Sequence, residues 1–164
     1  MNLVLVGLRG AGKTAVGRRV AARRRVAFVD LDERIASLGG RTVSELLRQA
    51  GEAALRAAES EALASLDPPD ATVIATGGGA VELAENRAHI TRLGTVVWLQ
   101  VSPEESVART VGSDRPPLTS LPPLAEARAL AARRDDGYRA VAQHVIETSG
   151  RSLEEVCDEL EQLW

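Results

Sequence analysis

The sequence predicts an α/β fold, a parallel sheet of five strands with helices packed on both of its faces. Three observations lead there. Short apolar runs with no polar/apolar alternation read as strands buried on both sides. They alternate along the chain with segments of helical apolar spacing, as in a parallel sheet with crossover helices. The residues able to do chemistry cluster just past the strands, and open parallel sheets bind ligands outside the carboxyl ends of their strands.

The first strand is Asn2–Val6. It runs into Gly7-Leu8-Arg9-Gly10-Ala11-Gly12-Lys13-Thr14, which fits the Walker A pattern, and a helix follows with Val16 and Val20 in helical spacing. In such a loop glycines let backbone N–H groups turn inward onto phosphate oxygens, and the helix adds its positive end. Gly10, Ala11, Gly12 and Ala15 are therefore expected around a nucleoside triphosphate. Lys13 is expected on the β- and γ-phosphates and the Thr14 hydroxyl on Mg²⁺. Of 20 basic residues, Lys13 is the only lysine; the rest are arginine. A compact ammonium and a planar fork do different work, and the exception stands where the ammonium is needed.

The second strand, Val26–Val29, ends at Asp30-Leu31-Asp32. Thr42-Val43-Ser44-Glu45 reads as a capping box opening a helix. Gly51 breaks that helix, and a second runs from about Glu52 to Leu66 with Leu55, Ala58, Ala62 and Leu66 on its apolar stripe. Asp67-Pro68-Pro69-Asp70 is a turn, and the third strand, Thr72–Ala75, leads into Gly77-Gly78-Gly79. A helix over about 83–93 precedes the fourth strand, Thr95–Leu99. Pro103, Glu104 and Glu105 suit the first turn of the next helix. Gly112–Pro123 holds four of the seven prolines and little apolar material, and reads as a mobile cover. A helix over Leu124–Ala142, the strand His144–Glu147 and a capped last helix follow, the last with Leu153, Val156, Cys157, Leu160 and Trp164 on its buried face.

Composition narrows the function. At 164 residues the chain is expected to form one domain. A net charge of −3 and only four aromatic residues supply neither a basic field nor a stacking platform for nucleic acid. No apolar run is long enough to cross a membrane, and no leader-like segment precedes the first strand. The single Cys157, read as a packed core thiol, fits a reducing cytoplasm, and His89 and His144 lack metal-ligand spacing. No apolar stripe is left without a role, so a monomer is expected.

Each remaining candidate has a plain alternative. Asp30 and Asp32, if the backbone is still extended there, point to one side, one toward Mg²⁺ and the other toward an acceptor hydroxyl; otherwise an Asp here caps a helix. Arg56 and Glu59, three apart on a helix, suit a surface ion pair as well as a site. Gly77–Gly79 admits another molecule close to the backbone, or is a flexible turn. Arg115 could fold over transferring phosphates, or be a solvated loop arginine.

The chain resembles the shikimate kinases, compact members of the nucleoside-monophosphate-kinase-like branch of P-loop proteins. The resemblance runs in order through the Walker loop, Asp30-x-Asp32, Gly51-Glu52, Arg56-x-x-Glu59, Gly77-Gly78-Gly79, Arg109, Arg115-Pro116, and Arg134 four residues before Tyr138. It implies ATP-dependent phosphorylation of the 3-hydroxyl of shikimate, a step of chorismate and aromatic amino-acid biosynthesis. It also implies strand order 2-3-1-4-5, an acceptor-binding region over about 30–60 and a lid over about 112–123. Asp30 is then implied to hold Mg²⁺ through water, Asp32 to bind the ring hydroxyls, and Arg56 and Arg134 to clamp the acceptor carboxylate. Glu59 would orient Arg56, Gly77–Gly79 would give backbone contacts, Arg115 would be the lid arginine, and Arg109 and Arg151 would flank adenine. Two departures stand out: Leu55 where the family commonly has Phe, and Leu153 where Pro often stands. Alternatives are a kinase for another small hydroxy acid such as gluconate, a nucleoside-monophosphate kinase (disfavoured by the few aromatics), and a non-catalytic nucleotide-binding regulator.

Overall fold

The strand Asn2–Val6 (β1) is buried at all five positions and lies at the centre of the sheet. The computed structural model describes residues 1–164. The sheet is parallel throughout, with order β2-β3-β1-β4-β5, where β2 is Ala27–Asp30, β3 is Thr72–Ala75, β4 is Gly94–Gln100 and β5 is His144–Glu147. Leu3 stands opposite Val73 on one side and Thr95 on the other, so β1 gains its neighbours from distant parts of the chain.

The helices divide between the two faces. α1 (Lys13–Arg24) packs on β2 and β3 and against α7 (Leu153–Gln162), which also covers β5. On the opposite face α4 (Ala84–Leu93) and α6 (Pro123–Val141) lie over β1 and β4, with α3 (Val43–Ala64) packed on α4. α2 (Leu31–Gly39) joins α3, and α5 (Pro103–Thr110) packs on α6. The buried apolar side chains form one contiguous core through both layers.

Local chemistry explains the boundaries. Thr42 with Glu45 and Ser152 with Glu155 make reciprocal capping boxes at α3 and α7. Gly51 interrupts α3 with φ 81 and ψ −179, a conformation open only to glycine. Residues 111–122 form neither helix nor strand.

Three expectations are corrected. The backbone is not extended through Asp32, because Asp30 accepts from the Asp32 amide at 2.9 Å and starts α2, whose Leu31 and Ile35 are buried. Leu153, the first residue of α7, is exposed rather than part of its buried face, because it stands at the end of the helix, a turn before Val156 and Cys157, which with Leu160 are the buried set. β5 alternates, with Val145 exposed and Ile146 buried, because it is an edge strand.

Candidate functional site

The Walker loop takes its shape from glycine. Gly12 stands at φ 92 as the N-cap of α1 and provides no side-chain cap, so the first helical amides face outward without a partner from a capping side chain. Beneath them Lys13 is 9% exposed and its Nζ donates to the carbonyls of Gly7 at 2.7 Å and Leu8 at 2.8 Å. Burial pushes the Lys13 ammonium down to about 8, partly opposed by Asp32. A polyphosphate in this loop would hold it protonated.

Next to the loop, the Thr14 hydroxyl donates to Asp30 Oδ2 at 2.7 Å while Asp30 Oδ1 accepts from the Asp32 amide. Asp30 is thus both a helix cap and a partner of the Walker threonine, and the two readings of it are compatible. A hydroxyl beside a carboxylate is the hard-oxygen donor set that Mg²⁺ takes, with water completing its shell. Asp32 receives Arg115 Nη2 on Oδ2 at 3.2 Å, and its Oδ1 is buried without a partner. Arg115 is therefore folded onto the site rather than solvated in the loop.

The acceptor side is built from buried charge. Glu59 is 1% exposed and accepts from Arg56 Nη1 at 2.5 Å, so this pair is no surface bridge. Arg56 Nη2 donates to Glu52 at 2.9 Å, and Arg56 Nε is buried with no partner. Burial raises the Glu59 carboxyl above its ordinary range in spite of Arg56. Arg134, 4% exposed, donates from Nε to Glu82 at 2.5 Å.

Gly77–Gly79 is no loose turn. A Cβ on Gly77 would strike Glu59 Oε1, and one on Gly79 would strike the Arg56 guanidinium; at Gly78 it would lie 3.3 Å from Arg134 Nη1. The glycines are flat ground on which both arginines lie. Tyr138, stacked on Trp98 at 5.5 Å between ring centroids, donates its hydroxyl to the Gly78 carbonyl at 2.5 Å and fixes this stretch from behind.

Arg56, Glu59, Gly78, Gly79, Arg115 and Arg134 line a single cavity of about 490 Å³, walled on its apolar side by Leu8, Leu47, Leu55 and Leu118. Asp32 meets it through Arg115, with Lys13 behind the Walker loop. Arg109 and Arg151 do not line this cavity. Arg109 bridges the Gly10 carbonyl, at 3.2 Å, to the Thr148 carbonyl, at 2.6 Å, tying the Walker loop to the end of β5. Arg151 spends its donors on the Glu147 and Glu155 carbonyls and on Glu159.

Sequence reasoning missed several residues that the fold brings here. Arg9 lines the cavity and donates to Ser113 of the irregular segment 111–122, and Arg48 of α3 donates to the Asp114 carbonyl. Glu82, Arg133 and the Tyr138 hydroxyl support the acceptor side. Arg9 occupies a wildcard position of the Walker pattern, and Glu82 follows the glycines at a spacing with no period; of these residues only Tyr138, four after Arg134, stood in a recognisable motif.

Known proteins resemble this chain in sequence and in fold. The shikimate kinase family model matches residues 9–163. A shikimate kinase of Symbiobacterium thermophilum is 47% identical over 163 residues, covering 98% of this chain and 94% of its own. One from Neisseria gonorrhoeae is 41% identical over 90% of this chain and 88% of its own. Among solved structures, shikimate kinase from Acinetobacter baumannii in complex with shikimate superposes with TM-score 0.92 at 37% identity, covering 99% of this chain and 91% of that one. The fold extends to a deoxyadenosine kinase from M. mycoides at TM-score 0.63 and 11% identity. With the family model matched over residues 9–163 and a relative 47% identical across nearly its whole length, the chain belongs to the shikimate kinase family.

Proposed function

We propose that this chain transfers the γ-phosphoryl group of ATP to the 3-hydroxyl of shikimate, giving shikimate 3-phosphate and ADP. The observation that carries the reading is the cavity in which Arg56 and Arg134 lie against Gly78 and Gly79, facing the Walker loop across Asp32 and Arg115. Two guanidinium groups on a glycine floor suit a carboxylate with a ring behind it.

In this reading the amides of Gly10 to Ala15 bind the phosphates, and Lys13 moves from the Gly7 and Leu8 carbonyls to the β- and γ-phosphate oxygens. Thr14 and Asp30 are the residues that would hold Mg²⁺, which supplies charge neutralisation on those oxygens. Arg56 and Arg134 grip the acceptor carboxylate, and the amides of Gly77–Gly79 border the ring. Asp32 accepts from the attacking hydroxyl, orients it and takes its proton as the new O–P bond forms and the bond to the ADP oxygen breaks. Arg115 exchanges Asp32 for the transferring phosphoryl group, where its charge counts most in the transition state. Arg109 and Arg151 flank adenine through their fixed guanidinium planes. Residues 1–164 act as one domain with an acceptor region over about 30–60 and a lid over about 112–123, as a cytoplasmic monomer.

The test is ADP release with Mg-ATP against shikimate, quinate, gluconate, AMP and water. Turnover selective for shikimate is expected. Selective turnover of another acceptor would overturn the roles of Arg56 and Arg134, and nucleotide binding without turnover on any acceptor would overturn the catalytic reading.

A further inference from the structure

Behind the two clamp arginines lies a set of charges that does not touch the cavity. Glu82 Oε1 accepts from Arg134 Nε at 2.5 Å and from Arg133 Nη2 at 3.0 Å, and stands 3.7 Å from Arg56 Nη2. Glu52 Oε1 closes the circuit, accepting from Arg133 at 2.7 Å and from Arg56 at 2.9 Å. With Glu59 on Arg56, three arginines are balanced by three glutamates.

The geometry makes Glu82 the hub. Arg56 comes from α3 and Arg134 from α6, and like charges on two helices repel unless an anion is held between them. Glu82 reaches that point from the segment after Gly79. It binds Arg134 through Nε, leaving Nη1 on the side that lies against Gly78. Glu82 itself does not line the cavity, so it acts on the acceptor only through the arginines.

We infer that Glu82 is a positioning residue for the acceptor carboxylate: it aims Arg134 and holds Arg56 and Arg134 together as a two-arginine clamp before substrate arrives, with Arg133 and Glu52 bracing it. This rests on the reading that shikimate is the acceptor. Burial acts against ionisation of Glu82, but its bonds to Arg134 and Arg133 keep its carboxyl below the usual range, so it carries its charge at neutral pH.

The experiment compares wild type and Glu82→Gln with shikimate and with its neutral carboxamide as acceptors. Gln preserves shape and removes the charge. The KM for shikimate is expected to rise about tenfold, with kcat and the KM for ATP within about twofold of wild type. The KM for the carboxamide, which has no charge for the clamp to grip, should stay within about twofold. In an Arg134→Gln background Glu82→Gln should add little, because its effect passes through Arg134. Arg133→Gln, at the exposed rim, is the milder second variant, expected to raise the shikimate KM two- to threefold; it keeps the test decisive if Glu82→Gln does not fold. Equal effects on both acceptors, or a lowered melting temperature with an unchanged shikimate KM, would overturn the inference. Failure of wild type to turn over shikimate would instead overturn the reading beneath it.

Discussion

Glu59 shows how burial makes one carboxylate serve another residue. It is sealed under Gly77 with Asp32 and Arg115 nearby, and its one strong partner is Arg56. Burial raises its carboxyl, with Arg56 working in the opposite direction. A raised folded-state value means that folding takes up a proton between the ordinary carboxyl range and the raised one. Stability from this group is therefore present at low pH and lost as pH rises through that window. Acceptor binding runs the other way, because protonated Glu59 gives up its charge on Arg56. The acid limb of kcat/KM for shikimate is thus expected above the usual carboxylate value of about 4.3. Glu59→Gln should abolish that limb and lower the plateau about tenfold, or ~1.4 kcal/mol. A limb left unchanged in Glu59→Gln would show that some other group sets it.

At the scale of elements, α1 joins a functional start to an unrelieved end. Its N-terminus is left open at Gly12, while its C-cap, Arg25, adopts the left-handed conformation at φ 57 without being glycine. Glycine is favoured at this position because it lacks the Cβ that crowds the carbonyl. Arg25→Gly is expected to stabilise the fold by about 0.5–1 kcal/mol, or roughly 1–4 °C in Tm, after losing a few tenths for a cation near the helix C-terminus. A thermal melt with no rise would mean that the Arg25 charge outweighs the strain. Elements of this kind also decide what the sequence could tell. β1, β3 and β4 were legible because every neighbour of a central strand is apolar, and α3 and α7 because a capping box lies within four residues. α2 was not, since a cap and a strand end use the same Asp30. Tertiary charge defeated the reading more thoroughly: Arg56 and Glu59 have the spacing of a surface pair, and only the glycine floor folded over them makes them buried. Glu82 and Arg9 carried no signal because their partners lie on other elements.

For the whole molecule, charge and edge design argue for a single copy. Arg19 and Arg23 on α1 pair with Glu154 on α7, and Arg23 also reaches Asp158 and Glu161, so these two helices satisfy each other. Both edge strands, β2 and β5, have only four residues, a short template for pairing with another sheet. Sedimentation velocity is expected to give one monomeric species across the micromolar range; a dimer would reveal an interface among the few exposed apolar side chains such as Val145 and Leu38. The place of β1 has a consequence for how the protein comes into being. β1, the middle of the sheet, leaves the ribosome well before its hydrogen-bonding neighbours, Val73–Ala75 and Gly94–Trp98. A nascent chain must carry the Walker loop, unformed and with its apolar strand exposed, until β3 and β4 have been made. It then closes three strands almost together. Nucleotide binding would therefore switch on abruptly during translation, and the early apolar segment is where chaperones have most to protect.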